Sequence, residues 1–179
     1  MINGHEYVDL GLPSGLKWAT CNVGASSPEE YGDYYAWGEI KPKHEYASVN
    51  SKTYDKSVYH IQENPTYDVA RAKWGGSWRI PTKAEFEELL NNCIWSWEAK
   101  NGKKGYKVIG PNNNYIFMPA AGYFHQSSLC FPCVCGRYWS STSFPSNDIN
   151  AYSLNLNNKD YFASFHCRYH GLSVRPVSE

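Results

Sequence analysis

The sequence predicts a single α+β domain with two helices and a β-rich C-terminal half. Its 179 residues suffice for one domain with a sizeable core. The clear helical patterns all lie before residue 94, and from Ile94 onward short extended runs are broken by Gly, Asn and Ser. Helices followed by strands are typical of α+β folds, whereas a doubly wound parallel sheet alternates the two.

The N-terminal segment predicts a β-hairpin. Residues 7–10 and 16–20 are short extended runs, and the intervening Gly-Leu-Pro-Ser-Gly sequence is typical of a turn. Residues 27–30 then combine an N-cap serine, a proline at the first helical position and two glutamates in the first turn. They predict a short helix that ends by Gly32.

Two stronger helical patterns follow a polar segment. Residues 41–66 are polar and aperiodic, which indicates a long surface loop. Residues 68–74 have a helical composition and are followed by two glycines. Residues 82–92 begin with a capping box, and apolar side chains recur at the spacing of one helical face. We therefore expect helices over 68–74 and 82–92.

The second half predicts a series of strands. Asn101-Gly102 and the Pro-Asn-Asn-Asn sequence from Pro111 supply turns between the extended runs. The predicted strands are 94–99, 106–109, 115–119, 137–141, 151–157 and 172–177.

Charge and hydropathy exclude several classes of partner. Seventeen basic and seventeen acidic residues give no net charge, so the basic excess typical of nucleic-acid and anionic-membrane binding is absent. No apolar run approaches the roughly 20 residues of a membrane span, and the first residues do not resemble a signal peptide. We expect neither nucleic-acid binding nor membrane insertion.

Residues 127–172 have a composition of their own. These 46 residues contain no Glu, Gln or Met, one Lys (Lys159) and one Trp (Trp139), whereas residues 1–126 contain 11 Lys, 10 Glu, 6 Trp, 2 Gln and 2 Met. Strands and turns disfavour Lys and Glu, which explains part of the depletion. The five depleted types are also those that codons ending in a pyrimidine cannot encode. The bias therefore indicates a genetic origin.

Five stretches carry a resemblance to a known family. They are YVDLGLPSGLKWATCNVGA (7–25), WGGSWRIPT (74–82), MPAAGY (118–123), YWSST (138–142) and GLSVRPV (171–177). In them the chain resembles the major paralogous domain of Bacteroidetes surface proteins over nearly its whole length. That domain is similar to the C-type-lectin fold in its formylglycine-generating-enzyme variety, which implies a C-type-lectin-like fold here.

The resemblance also implies a function for the biased segment. Before the closing Ser-Val-Arg-Pro, it resembles the variable region of proteins diversified by retroelements, in which an error-prone reverse transcriptase rewrites adenines. We expect one domain, 1–179, with a scaffold (1–123), a variable ligand-binding region (124–172) and a closing strand (173–179). Its expected role is non-covalent recognition of a protein or glycan on another cell, phage or host, with the chain displayed at a cell surface or on a virion.

The residue types of the variable region suit recognition. Tyr and Phe give contact area at low entropic cost, and Asn, Ser and His adapt their hydrogen bonds, as in antibody paratopes. As a core the segment would be too polar and too unpatterned, since a half-buried strand alternates. The candidate ligand-binding residues are Phe124, His125, Cys130, Phe131, Phe144, Asn147, Asp148, Asn150, Tyr152, Ser153, Asn155, Asn157, Tyr161, Phe162, Phe165, His166, Tyr169 and His170.

The cysteines leave alternatives open. Cys130, Cys133, Cys135 and Cys167, with nearby histidines, have the ligand types for zinc, but no second Cys-x-x-Cys pair accompanies them. A disulfide or free thiols on a variable surface are the other readings. Cys21 and Cys93, in the scaffold, are read as buried thiols or as a pair. We expect no bound metal and no cofactor.

The sequence bears on four alternative interpretations. The formylglycine-generating relatives are oxidases with two reactive cysteines, but the sequence offers no environment that activates a thiol, so we expect no enzymatic activity. The Glu-Pro-Asn, Gln-Pro-Asp and Trp-Asn-Asp tripeptides of calcium-dependent lectins do not occur. The tryptophans at 74, 78, 95 and 97 are read as core, with sugar stacking as the alternative. An invariant adhesion or glycan-binding module would share the same frame.

Overall fold

The computed structural model describes residues 1–179 and confirms the α+β class with two α-helices. Helix α1 spans Val69–Trp74 and helix α2 spans Lys83–Asn92. Nine of the eleven strands begin at or after Ile94, so the C-terminal half is β-rich. The strands are β1 (Tyr7–Asp9), β2 (Lys17–Ala19), β3 (Ile94–Lys100), β4 (Lys103–Ile109), β5 (Tyr115–Pro119), β6 (Tyr123–His125), β7 (Ser128–Cys130), β8 (Cys135–Ser143), β9 (Asn150–Asn157), β10 (Tyr161–Cys167) and β11 (Val177–Ser178).

Both helices begin where the sequence signals place them. The side chain of Asp68 accepts hydrogen bonds from the backbone N–H groups of Ala70 and Arg71, which caps α1. At α2, Thr82 accepts from the backbone of Glu85, and the Glu85 carboxylate accepts from the backbone of Thr82. This reciprocal capping box fixes the start of α2.

The strands form four small antiparallel sheets. The first has β2 between β1 and β11, so the two ends of the chain meet in one sheet. In the second, β4 lies between β3 and β5; in the third, β9 lies between β8 and β10. Strands β6 and β7 form a separate hairpin. The candidate residues lie mostly on the β8–β9–β10 sheet and the β6–β7 hairpin.

The interior consists of two large apolar clusters. In one, Phe86 and Leu89 of α2 pack with Tyr138, Leu154 and Leu156 of the β8–β9–β10 sheet. The other is built around tryptophans, and four of them are fully buried across the two clusters: Trp18, Trp37, Trp78 and Trp139. Trp74, Trp78, Trp95 and Trp97 pack in or against these clusters, which confirms their interpretation as core residues.

A buried arginine connects the closing segment to the frame. Arg175 is fully buried, and its guanidinium donates to the side chain of Asn22 (2.9 Å) and to the backbone carbonyls of Ala19 (3.2 Å) and Phe117 (3.0 Å). Burial lowers the pKa of Arg175. These three bonds satisfy the charged group and join the closing segment to parts of the chain near β2 and in β5.

Three sequence predictions need correction. Residues 27–30 form a turn and no helix, because the Tyr31 carbonyl accepts from Asn22 and the backbone of Asp33 donates to Val23. The 41–66 segment contains a short 3₁₀ helix (Ser48–Asn50) and is not purely a surface loop, since Tyr46, Thr53 and Ile61 are buried.

The third correction concerns strands. Of the predicted strand 172–177 only Val177 is in β11, Leu172 and Ser173 make isolated bridges to Tyr35 and Tyr138, and residues 174–176 are in no strand. Strands β6, β7 and β10 were not predicted. In β10 the two sides of the strand carry similar residue types, which hides the two-residue period.

No helix of the chain has the length and apolar character required to cross a lipid bilayer.

Replacing Arg175 by methionine tests the buried arginine. Arg175→Met removes three donors and leaves two backbone carbonyls and the Asn22 amide oxygen without their partners, so we expect the free energy of unfolding to fall by about 2–4 kcal/mol. Urea denaturation measures it. Lys159→Met, at an exposed position, is the control and should change stability by less than about 0.5 kcal/mol. Equal stability of the two variants would contradict the assigned role.

Candidate functional site

The β8–β9–β10 sheet has two chemically different faces. Residues directly opposite each other in antiparallel strands point to the same side, and neighbours along a strand alternate. Arg137 lies opposite Asn155, which lies opposite Phe162. These residues and His166 therefore share one side, here named the open face. The other side, named the helix-packed face, carries Leu154 and Leu156 and rests on α2.

A hydrogen-bond relay crosses the open face. Arg137 Nη1 lies 3.3 Å from His166 Nδ1, and His166 Nε2 lies 3.0 Å from Asn155 Oδ1. A guanidinium only donates, so Nδ1 accepts and the ring is neutral with its proton on Nε2, which donates to Asn155. The guanidinium of Arg137 also stacks on Tyr123, with its carbon 3.6 Å from the ring centroid. Arg137 is thereby held in a fixed orientation.

An aromatic and imidazole cluster continues from this relay. The Tyr123 ring lies 6.5 Å from that of His166 and 5.7 Å from that of His170. The His170 ring lies 5.1 Å from His125 and 4.8 Å from Tyr169. Strands β6, β8 and β10 and the turn after β10 thus converge on one site, although their residues are distant in sequence.

The two central histidines are held neutral. Burial, followed by the charges of Arg137 and His170, lowers the pKa of His166 to about 3. Burial, followed by the charges of His125 and Arg137, lowers the pKa of His170 to about 4. The guanidinium of Arg137 is positively charged, and a second positive charge beside it disfavours protonation of either imidazole.

Other candidate residues lie on the helix-packed face. Phe144 contacts Tyr152 (ring centroids 5.3 Å apart) and Phe165 (4.5 Å), and Lys83 of α2 lies over the Tyr152 ring. Tyr161 stacks on Trp95 and packs against the core. The 18 candidates therefore do not form one continuous surface, because the two-residue period of β9 and β10 divides them between opposite faces.

A further group shapes turns. The side-chain oxygen of Asn147 accepts from the backbone of Asn150, and that of Asn157 from the backbones of Lys159 and Asp160. Asp148 accepts hydrogen bonds from Tyr59 and Ser57.

Two candidates lie apart from these groups. Phe124 packs between Tyr34 and Tyr46. Ser153, on the open-face side of β9, is buried. It is the one fully enclosed member of the candidate set, and the other 17 retain partial or full exposure.

The cysteines are free thiols in this structure. The hydroxyl of Tyr31 lies 2.8 Å from the sulfur of Cys133, and this hydrogen bond lowers the thiol's pKa. Burial instead raises the pKa of Cys93 to about 11 and that of Cys135 above its usual range. No three His, Cys, Asp or Glu side chains lie in an arrangement suited to holding one metal ion.

The largest cleft is elsewhere. It has a volume of about 490 Å³ and is lined by residues 59–63 and 141–143, none of which is a candidate residue. Ligand pockets of small-molecule sites are concave and mostly apolar, whereas six of the eight lining residues here are polar. We assign the site to the open face because its side chains converge there, and such a surface suits a large partner.

Two participants were missed by the sequence analysis. Tyr123 was placed in the scaffold and Arg137 was not among the candidates, yet their stacked side chains form the centre of the open-face cluster. The alternation in β8 could have found Arg137, since Gly136 and Tyr138 are buried while Arg137 between them is not.

Comparisons of the chain with protein-family models, curated proteins and solved structures gave no significant match.

The neutral histidines predict a pH dependence of stability. Unfolded histidine has a pKa of about 6.5, so the unfolded chain binds more protons than the folded one as pH falls below that value. The free energy of unfolding should therefore be highest above pH 7 and fall toward pH 4. We expect a decrease of about 1–3 kcal/mol, which is smaller than the pKa shifts alone would give because both rings are partly exposed. Urea denaturation across this pH range measures it.

The control separates these histidines from the rest. His166→Gln combined with His170→Gln should flatten the pH profile, whereas His44→Gln, at an exposed position, should leave it unchanged. An identical slope in all three proteins would show that other groups cause the dependence.

Proposed function

We propose that this chain is a ligand-recognition protein with a C-type-lectin-like fold, that its open face is a diversified binding surface, and that it carries out no chemical turnover. The proposed ligand is a protein or glycan on another cell, phage or host. The family-like stretches, including 138–142 and the segment from Gly171 to Val177, belong to the frame in this proposal, and the remainder of residues 124–172 to the variable region.

One observation carries the proposal: the candidate aromatic and imidazole side chains are all at least partly exposed, whereas Tyr138 and Trp139 of the same segment are buried. Apart from Ser153, every candidate residue keeps contact with solvent. Phe131 is 60% exposed and Phe162 is 42% exposed. Exposed aromatics grouped with Asn and His are typical of recognition surfaces, where they supply contact area and adaptable hydrogen bonds.

The sheet also explains how such a surface could vary. Strands β8, β9 and β10 are held by backbone hydrogen bonds and by buried side chains on both sides, with Leu154 and Leu156 on the helix-packed face and Trp139 and Ala151 on the other. Substitution of a partly exposed side chain on the open face removes little buried apolar area, so its cost to stability is small. The frame can thus present different side chains without a change of fold.

Buried positions within residues 124–172 mark where variation would be costly. Trp139, Leu154, Leu156 and Arg168 are each at most 1% exposed. Arg168 donates to the backbone carbonyls of Thr53 and Lys56, among other bonds. These positions are assigned to the frame, although they lie inside the biased segment.

Two rival functions share parts of this description. An invariant adhesion module would have the same frame without a genetic template. A formylglycine-generating type of enzyme needs two reactive cysteines in one cleft, and Cys133 is the lone thiol whose pKa is lowered. Mutation of Cys133 would abolish turnover in such an enzyme and leave binding unchanged in the proposed recognition protein.

Diversification makes a prediction at the level of DNA. We expect an imperfect repeat of the 3′ end of the gene nearby, with differences at adenines, together with a reverse-transcriptase gene. The differing codons should concentrate at partly exposed positions such as Asn155, Phe162 and His166, and spare Trp139 and Leu154, because the latter are buried. Sequencing of the locus measures this. Absence of the repeat would favour the invariant adhesion module.

Binding can be tested on an array of glycans and surface proteins. Phe131→Ser combined with Phe162→Ser removes two exposed aromatics near the open-face cluster, and we expect at least about tenfold weaker binding, since central aromatics dominate interface energies. The matched control is Val49→Ser combined with Ile94→Ser, at side chains that are 93% and 71% exposed and lie in other parts of the molecule. Equal binding by both variants would place the ligand surface elsewhere.

A further inference from the structure

We propose that the open face recognises a carboxylate of a protein partner, with the guanidinium of Arg137 as its principal contact and His125 and His170 as further donors. This proposal rests on the proposed recognition function and specifies the chemistry of the ligand. Its basis is a convergent set of donors that has no acidic neighbour.

The first observation is an unneutralised guanidinium. Arg137 makes no ion pair within 4.0 Å, unlike Arg79, which pairs with Glu85. Its one protein hydrogen bond goes to His166, so its remaining N–H groups have no acceptor in the chain. The stack on Tyr123 fixes the plane of the fork. A fixed planar guanidinium suits two parallel hydrogen bonds to a carboxylate.

The second observation is the environment of the histidines. His170 Nδ1 is shielded from solvent and has no hydrogen-bond partner. The ionisable side chains around the cluster come from every element that meets there, and none is a carboxyl: Tyr54 of the 41–66 segment, Tyr123 and His125 of β6, Cys130 of β7, Cys135 and Arg137 of β8, His166 and Cys167 of β10, and Tyr169 and His170 after β10.

These two observations show that the site has positive charge and hydrogen-bond donors but no negatively charged group to pair with them. The positive charge of Arg137 disfavours protonation of His166 and His170. A bound anion would reverse this effect, because a negative charge within about 4–6 Å favours the protonated imidazole. Ligand binding at this place is therefore coupled to proton uptake.

The neighbouring aromatics favour a protein over a glycan. Phe131 stacks near Tyr123, with ring centroids 6.4 Å apart, and Phe162 lies opposite Asn155 on the sheet. Both are exposed and offer no hydrogen bond. A sugar ring stacks its apolar face on an aromatic ring, but its hydroxyl groups also need polar partners, which the two phenylalanines do not supply. An Asp or Glu flanked by apolar side chains matches both the donors and the exposed phenylalanines.

The test uses peptides that differ in one charge. Peptides with Glu between Leu and Phe residues, the same peptides with Gln, and acidic and neutral oligosaccharides are immobilised and probed with the wild-type chain and with Arg137→Gln. We expect the wild type to bind the Glu peptides at least about tenfold more tightly than the Gln peptides, and Arg137→Gln to lose that preference. Binding should strengthen from pH 7.5 to 5.5, where Glu remains ionised.

A second measurement needs no peptide partner. Histidine pKa values are determined by NMR from the ring-proton shifts, with and without acetate as the carboxylate probe. We expect acetate to raise the pKa of His170 in the wild type and not in Arg137→Gln. Circular dichroism confirms that the variant is folded.

The outcomes separate this proposal from the one on which it rests. Equal binding of Glu and Gln peptides, or an unchanged preference in Arg137→Gln, overturns the carboxylate site. If the Phe131/Phe162 variant nevertheless loses binding, the open face remains the recognition surface but does not recognise a carboxylate. Retention of acidic oligosaccharides alone overturns the protein partner. No peptide binding and no effect of acetate overturn the proposal entirely.

Discussion

The contact between helix α2 and the β8–β9–β10 sheet is the constraint on which the open face depends. Phe86 and Leu89 pack against one side of the sheet, where they lie in the same apolar cluster as Leu154 and Leu156 of the central strand. Because side chains alternate along β9, the same contact turns Asn155 to the other side. The apolar support and the polar surface are thus successive residues of one strand.

Sequence patterns predicted the elements whose signals are local. The capping box of Thr82 and Glu85 and the turns around Asn101 and Pro111 involve residues within a few positions of one another, and α2 and strands β3 to β5 follow from them. The helix predicted from Ser27 has equally good local signals. It fails because Asn22 and Val23 take up the backbone groups that a helix needs.

The candidate site was harder to predict because it is assembled from distant segments. Composition located residues 124–172, but it could not show that Tyr152 and Asn155 lie on opposite faces or that Arg137 stacks on Tyr123. Those facts depend on strand register, which in turn depends on unpredicted β10 and on a β8 longer than expected. Residue types were therefore enough to locate the surface in the sequence. Its geometry became known only from the fold.

The burial of Arg168 has a consequence for the codons that encode the biased segment. Its guanidinium lies over Trp37 and holds the 41–66 segment to the end of β10 through carbonyl contacts. Arginine, leucine and tryptophan can all be written in codons that contain no adenine. Under the proposed diversification, a reverse transcriptase that changes adenines would leave such codons unaltered. The choice among synonymous codons would then protect the buried residues of the segment from substitution.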